Sequence, residues 1–178
     1  MFLAGPSAPF LENHMSTAHT PRPVDALDML EADHRAIEQL FDAFERADAA
    51  DHERRNTLVQ RACELLTIHT IVEEELLYPA AQTALAAHDR IDVDEAYVEH
   101  FLVKTLIDRF ATLKAGEDGF DATFKVLREN TAHHIEEEET ALFPAVRKTQ
   151  IDLVTLSAKM AARKKALQER IAETAAAH

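Results

Sequence analysis

HTIVEEELLYPA, residues 69 to 80, is answered 65 positions later within HHIEEEETALFPA, residues 133 to 145. Each copy sets a histidine four residues ahead of an acid and closes on an aromatic residue followed by proline. Aligning Pro79 with Pro144 superposes His69, Glu73, Glu74, Leu77, Tyr78 and Ala80 on His134, Glu138, Glu139, Leu142, Phe143 and Ala145. On a helix, residues four apart share a face about one turn apart, so each His-x-x-x-Glu pair can reach a single point. His133 with Glu137 has the same spacing, but only His134 with Glu138 keeps the prolines in register. The repeat therefore favours His134, with His133 as the alternative.

A second repeat precedes each of these. His34, Ile37, Leu40, Phe41, Asp42 and Phe44 match His100, Val103, Leu106, Ile107, Asp108 and Phe110 at a constant offset of 66. Apolar residues recur at helical spacing along both stretches. The periodicity predicts helices over about 25–48, 51–87, 92–115, 121–148 and 151–176. Pro79 should kink or interrupt the second and Pro144 end the fourth, because proline lacks a backbone donor and crowds the preceding turn. Two helical hairpins of one design, each with an apolar face, are most simply completed by packing together. The expected fold is all-α, an up-and-down four-helix bundle over 24–149 with an accessory C-terminal helix over 150–178.

Composition agrees. The 178 residues include only three glycines and no tryptophan, and 47% are hydrophobic, enough for one domain that buries roughly 70% of its unfolded surface. A formal charge of −13 opposes phosphate backbones and anionic lipid, so neither nucleic acid nor membrane is expected as a partner. One cysteine, Cys63, excludes an internal disulfide and reads as a small core residue. No apolar run approaches the roughly 20 residues that cross a bilayer, and a cytoplasmic location is expected. Residues 1–23 hold five of the nine Gly and Pro residues and lack a basic n-region. They are expected to be disordered.

Four histidines in apolar seams need four partners, and two carboxylates beside them need cations, since unpaired buried charge costs several kcal/mol. Bound metal supplies all of these together. Four His and two Glu exceed what one tetrahedral zinc takes, and no cysteine cluster is present. A carboxylate from each of two helices can instead join two ions that each carry two histidines. Mixed nitrogen and oxygen ligation suits iron, with manganese or zinc as runners-up.

The ordered set His34, His69-x-x-x-Glu73, His100, His134-x-x-x-Glu138, over about residues 25–148, resembles the hemerythrin-like HHE cation-binding domain family. That resemblance implies a non-heme diiron centre with bridging carboxylates and an oxo or hydroxo bridge. It also implies reactivity toward dioxygen or nitric oxide, with a redox or signalling partner unidentified. Oxygen-carrying hemerythrins have a further His-x-x-x-His pair on the third helix, whereas Lys104 stands four residues after His100. Reversible oxygen carriage is therefore not carried over. Tyr97, one turn before His100, is a candidate phenol for the vacant position, or else a core residue. The ferritin-like plan needs Glu-x-x-His twice; Glu31 to His34 supplies it once, but Tyr97 stands where the second glutamate should be. Glu74 and Glu75 read as solvent-facing or as supports behind the ligands, and His52 and His88 as surface residues. The expected function is binding or sensing of dioxygen or nitric oxide, with a diiron enzyme or an iron-handling protein as the alternative.

Overall fold

A computed structural model describes residues 23–176. All but one of the residues expected to be disordered, 1–22, lie outside that range. Among the described residues every regular element is helical. The elements are α1 (Ala26–Arg46), α2 (His52–Val72), α3 (Tyr78–Ala84), α4 (Arg90–Phe110), α5 (Phe120–Glu137), α6 (Phe143–Arg147) and α7 (Leu153–Ala176). Two short π-helical turns, Glu73–Leu77 and Glu138–Leu142, join α2 to α3 and α5 to α6 without a break.

The helix starts follow local chemistry. Asp25 caps α1 by accepting from the backbone of Leu27 and Asp28 at 2.9 and 3.1 Å, while Asp28 returns a bond from the Asp25 backbone at 2.9 Å. Such a reciprocal cap satisfies donors that the first turn cannot pair internally. Asp51 caps α2, accepting from the Arg54 backbone at 3.0 Å. Gly116 and Gly119, at φ +93° and +88°, carry the turn from α4 to α5. A Cβ on Gly116 would meet the His52 ring at 2.5 Å, so that turn admits glycine for space as well as for backbone conformation.

Each proline follows an interruption of the α-helical geometry, but Pro144 does not end its rod. One turn ahead of each, the helix widens, and the Tyr78 and Phe143 N–H groups reach back five residues to the carbonyls of Glu73 and Glu138. The extra residue in the turn accommodates a ring that offers no donor. Each rod continues beyond its proline, to Ala84 and Arg147. Glu73 and Glu138 open these widened turns, a placement typical of π-bulges at functional sites.

α1 pairs with α2 and α4 with α5; the hairpins then meet through α2 with α4 and α1 with α5, and α7 lies along α1 and α2. The interior divides into two apolar clusters. One gathers Leu27, Leu30, Val72, Leu77, Phe143 and the α7 residues Leu156 and Met160. The other gathers Ile37, Phe41, Phe44, Leu66, Val103, Phe120 and Phe124. His34 lies between Leu30 and Ile37 on α1, so a polar layer crosses the bundle between two dry ones. No helix among the described residues is long and apolar enough to cross a membrane.

Candidate metal centre

His34, His69, Glu73, His100, His134 and Glu138 come from four rods and are all buried, none more than 3% exposed. The structure brings all six together. They form two overlapping sets, His34, His69, Glu73 and Glu138, then Glu73, His100 and His134, and within each set one donor atom per residue lies within 4.8 Å of the others. His34 Nε2 faces His69 Nε2 at 3.2 Å, and His100 Nε2 faces His134 Nε2 at 3.1 Å. Each carboxylate spans both pairs. Glu73 Oε2 lies 3.1 Å from His69 Nε2 and 3.4 Å from His100 Nε2. Glu138 Oε2 lies 3.3 Å from His34 Nε2 and 3.6 Å from His134 Nε2.

The outer ring nitrogens decide what the inner ones offer. Nδ1 of His34 lies 2.8 Å from Glu139, that of His100 2.9 Å from Glu74, and that of His134 2.8 Å from Glu99. Nδ1 of His69 faces Asp33 at 3.6 Å, just beyond hydrogen-bond length. A carboxylate beside Nδ1 holds the proton there and leaves Nε2 as a bare lone pair, the arrangement that orients metal-ligating histidines. Two bare lone pairs about 3 Å apart repel unless a proton or a cation joins them. Neither Glu73 oxygen, nor Oε2 of Glu138, receives a hydrogen bond. Buried carboxylate oxygens of this kind are orphaned in the protein alone, and the donor set fits bound metal.

Without metal, protons carry the load unevenly. Burial, then the neighbouring Glu138 charge, pushes Glu73 well above the usual carboxylate range. Burial acts the same way on Glu138, but the charges on His134 and His34 override it and hold that carboxyl low. Burial opposes charge on His34 and His134 too, yet interactions with Glu138 raise both above the ordinary imidazole value. His69 is pushed down to about 4, chiefly by burial. Deprotonated donors are what a metal requires, so metal and protons compete here.

One expected residue is elsewhere. The Tyr97 hydroxyl lies 3.4 Å from the Glu74 backbone carbonyl, and its ring packs edge-on to Tyr78. The phenol at the centre is that of Tyr78, fully buried, which donates to Glu138 Oε1 at 2.9 Å and lies 3.1 Å from His100 Nε2. The π turn rotates Tyr78 inward, a displacement that α-helical counting from His69 does not foresee. Its counterpart Phe143 stacks on His34 at 5.8 Å, so at this position the two halves of the site differ by one hydroxyl. Burial, then the charges of Glu138 and Glu73, pushes the Tyr78 phenol well above its usual range.

His133 is 61% exposed and pairs with Glu137 at 3.2 Å, outside the buried layer. Lys104 points to the periphery, where its ammonium binds Glu74 at 2.6 Å. Of the four outer carboxylates, Glu74 was identified in the sequence as a solvent-facing or supporting residue; Asp33, Glu99 and Glu139 were not assigned that role. The signal was present. Asp33-His34 and Glu99-His100 match at the same offset of 66, and Glu74 and Glu139 match at 65.

A model of the hemerythrin HHE cation binding domain matches residues 25–146. A hemerythrin-like protein of Schizosaccharomyces pombe is 28% identical over 123 residues, covering 68% of this chain and 59% of that protein. A protein of Nostoc described as a DNA nickase is 25% identical over 120 residues, covering 67% of this chain and 33% of its own length. The chain thus spans between a third and three fifths of these curated relatives. A crystal structure of a hemerythrin HHE cation binding domain-containing protein from Mycobacterium kansasii superposes with a TM-score of 0.70 at 26% identity, covering 83% of this chain and 89% of that one. With the family model spanning the four rods and all six converging side chains, the chain belongs to the hemerythrin HHE cation-binding domain family.

Proposed function

We propose that the buried cluster holds two iron ions and that the protein binds or senses dioxygen or nitric oxide there. His34 with His69 would hold one ion and His100 with His134 the other, with Glu73 and Glu138 each joining the two. The carrying observation is that each carboxylate already faces one histidine of both pairs, through oxygens that receive no hydrogen bond. Bound there, iron supplies a redox-active Lewis acid able to take a diatomic ligand. The chain's own groups do the rest. Outer carboxylates keep protons on Nδ1, apolar clusters on both sides exclude water, and the Tyr78 hydroxyl keeps its proton as a donor facing the layer.

That hydroxyl also favours a second reading, turnover of nitric oxide or a peroxide with electrons from an external donor, since reduction of either also needs a proton source inside the dry layer. Anaerobic reconstitution with ferrous iron, metal counting and optical titration with oxygen, nitric oxide and peroxide separates the two. Two irons per chain with a reversible ligand-dependent band support binding, and catalytic loss of peroxide or nitric oxide supports turnover. One zinc per chain, unchanged by Glu73→Ala and Glu138→Ala, would overturn the diiron reading.

A further inference from the structure

We propose that Glu99, His133 and Glu137 form an outer cation site at the mouth of an acidic cleft that loads divalent metal into the buried centre. The proposal rests on reading the buried cluster as a metal centre. Its starting point is an asymmetry among the four outer carboxylates. Glu139, behind His34, is bound by Arg35. Glu74, behind His100, is bound by Lys104. Asp33, behind His69, is bound by Lys164 from α7 at 2.6 Å. Glu99, behind His134, is the counterpart of Asp33, but α7 lies on the other hairpin. Among the described residues it pairs with His134 and, at 3.6 Å, with His133, and the acid Glu137 lies beside it.

That corner also borders a cleft. A cleft of about 270 Å³ runs between α4 and the second π turn, lined by Asp92, Glu95, Glu99, Glu137 and Glu138 and by no basic residue. Asp92, Glu95 and Glu99 recur at helical spacing on one face of α4. The cleft ends on Glu138, only 2% exposed, whose Oε2 has no hydrogen-bond partner. At the outer end, Glu99, His133 and Glu137 offer one donor atom each within 4.8 Å of one another. Glu99 joins the two ends, with one oxygen on the outer nitrogen of His134 and the other facing His133. Mixed oxygen and nitrogen ligation at a half-exposed site suits a divalent ion that binds and leaves. A negatively lined cleft with apolar walls concentrates cations and speeds their arrival.

The test uses the full metal-free chain and cobalt(II), whose visible bands report binding, mixed by stopped flow at low ionic strength. A variant carrying Asp92→Asn, Glu95→Gln, His133→Ala and Glu137→Gln is compared with one losing the same three negative charges through Glu53→Gln, Asp108→Asn and Glu169→Gln. The cleft variant should load about tenfold more slowly or worse yet reach the same final cobalt content, and the control should load at the wild-type rate. His133→Ala alone, at an exposed position, should slow loading about threefold should the combined variant fail to fold. Equal rates for cleft variant and wild type, or equal slowing by the control, would overturn the loading route while leaving the buried centre intact. A wild-type chain that takes up no buried cobalt would overturn both.

Discussion

Lys164 on α7 clasps Asp33 on α1, and Asp33 in turn faces the outer nitrogen of His69. The last helix therefore reaches the candidate metal layer through two side chains. Burial would raise the Asp33 carboxyl, but His69 and Lys164 together hold it below its usual value, so it stays anionic at neutral pH and orients the imidazole.

Lys164→Ala should loosen α7 and weaken metal retention together. Losing an ion pair that is mostly screened from water should cost about 2 kcal/mol, between the values for exposed and fully buried pairs. Metal affinity should fall roughly 10-fold or more, as for other supports behind ligating histidines. Chelator competition and hydrogen exchange across 153–176 read the two effects. Unchanged affinity with a mobile helix would separate α7 from the metal layer.

Glu73→Gln should abolish two-metal binding yet stabilise the metal-free protein at neutral pH by about 1–3 kcal/mol. The sign follows from the raised pKa of Glu73. The unfolded chain loses its proton near the ordinary glutamate value of 4.5, whereas the folded chain holds it to higher pH. Stability is then full below about 4.5 and falls as pH rises toward the folded pKa. Glutamine removes that loss. Thermal melts of metal-free wild type and variant at pH 4 and pH 8 check it, and a variant less stable at pH 8 would contradict it.

Tyr78→Phe and Tyr97→Phe should diverge. The first deletes a buried hydroxyl in contact with Glu138 and His100, costing about 1–2 kcal/mol and changing the spectra of the iron-loaded protein or the rate at which it reacts with nitric oxide. The second removes only a long contact to a carbonyl and should leave both readouts as they are. Identical spectra for Tyr78→Phe and wild type would take the phenol out of the chemistry.

His134→Ala should lose metal, and His133→Ala should keep the full final content. Elemental analysis after reconstitution decides it, and the opposite pattern would reverse the register taken from the prolines.

Iron affinity should fall as pH is lowered, because His34 and His134 hold protons more firmly than a free imidazole when metal is absent. Each proton must leave before Nε2 can ligate. Titration across pH 5.5–8 should show affinity rising with pH, and a flat profile would contradict the competition.

The all-helical class, the two hairpins and the six convergent residues were legible from the amino-acid order. Periodicity and an internal repeat are properties of sequence spacing, and helical geometry converts spacing directly into shared faces. The same repeat distinguished His134 from His133, which the structure places inside and outside the buried layer.

Other features depended on contacts between distant parts of the chain. The π turns shift the residues after Glu73 and Glu138 around the helix axis, which is why Tyr78 meets the carboxylates. Sequence periodicity assumes a uniform 3.6-residue turn and cannot register that slip. The pairing of Asp33 with His69, Glu99 with His134, Glu139 with His34 and Glu74 with His100 crosses from one helix to another, and only packing decides which acid meets which ring. The sequence by itself determined that two copies of one helical hairpin carry His and Glu to a common layer. The tertiary structure decided that three of its four outer carboxylates are closed by basic side chains, the third by α7, while the fourth opens onto an acidic cleft, because a single C-terminal helix can cover only one of two equivalent corners.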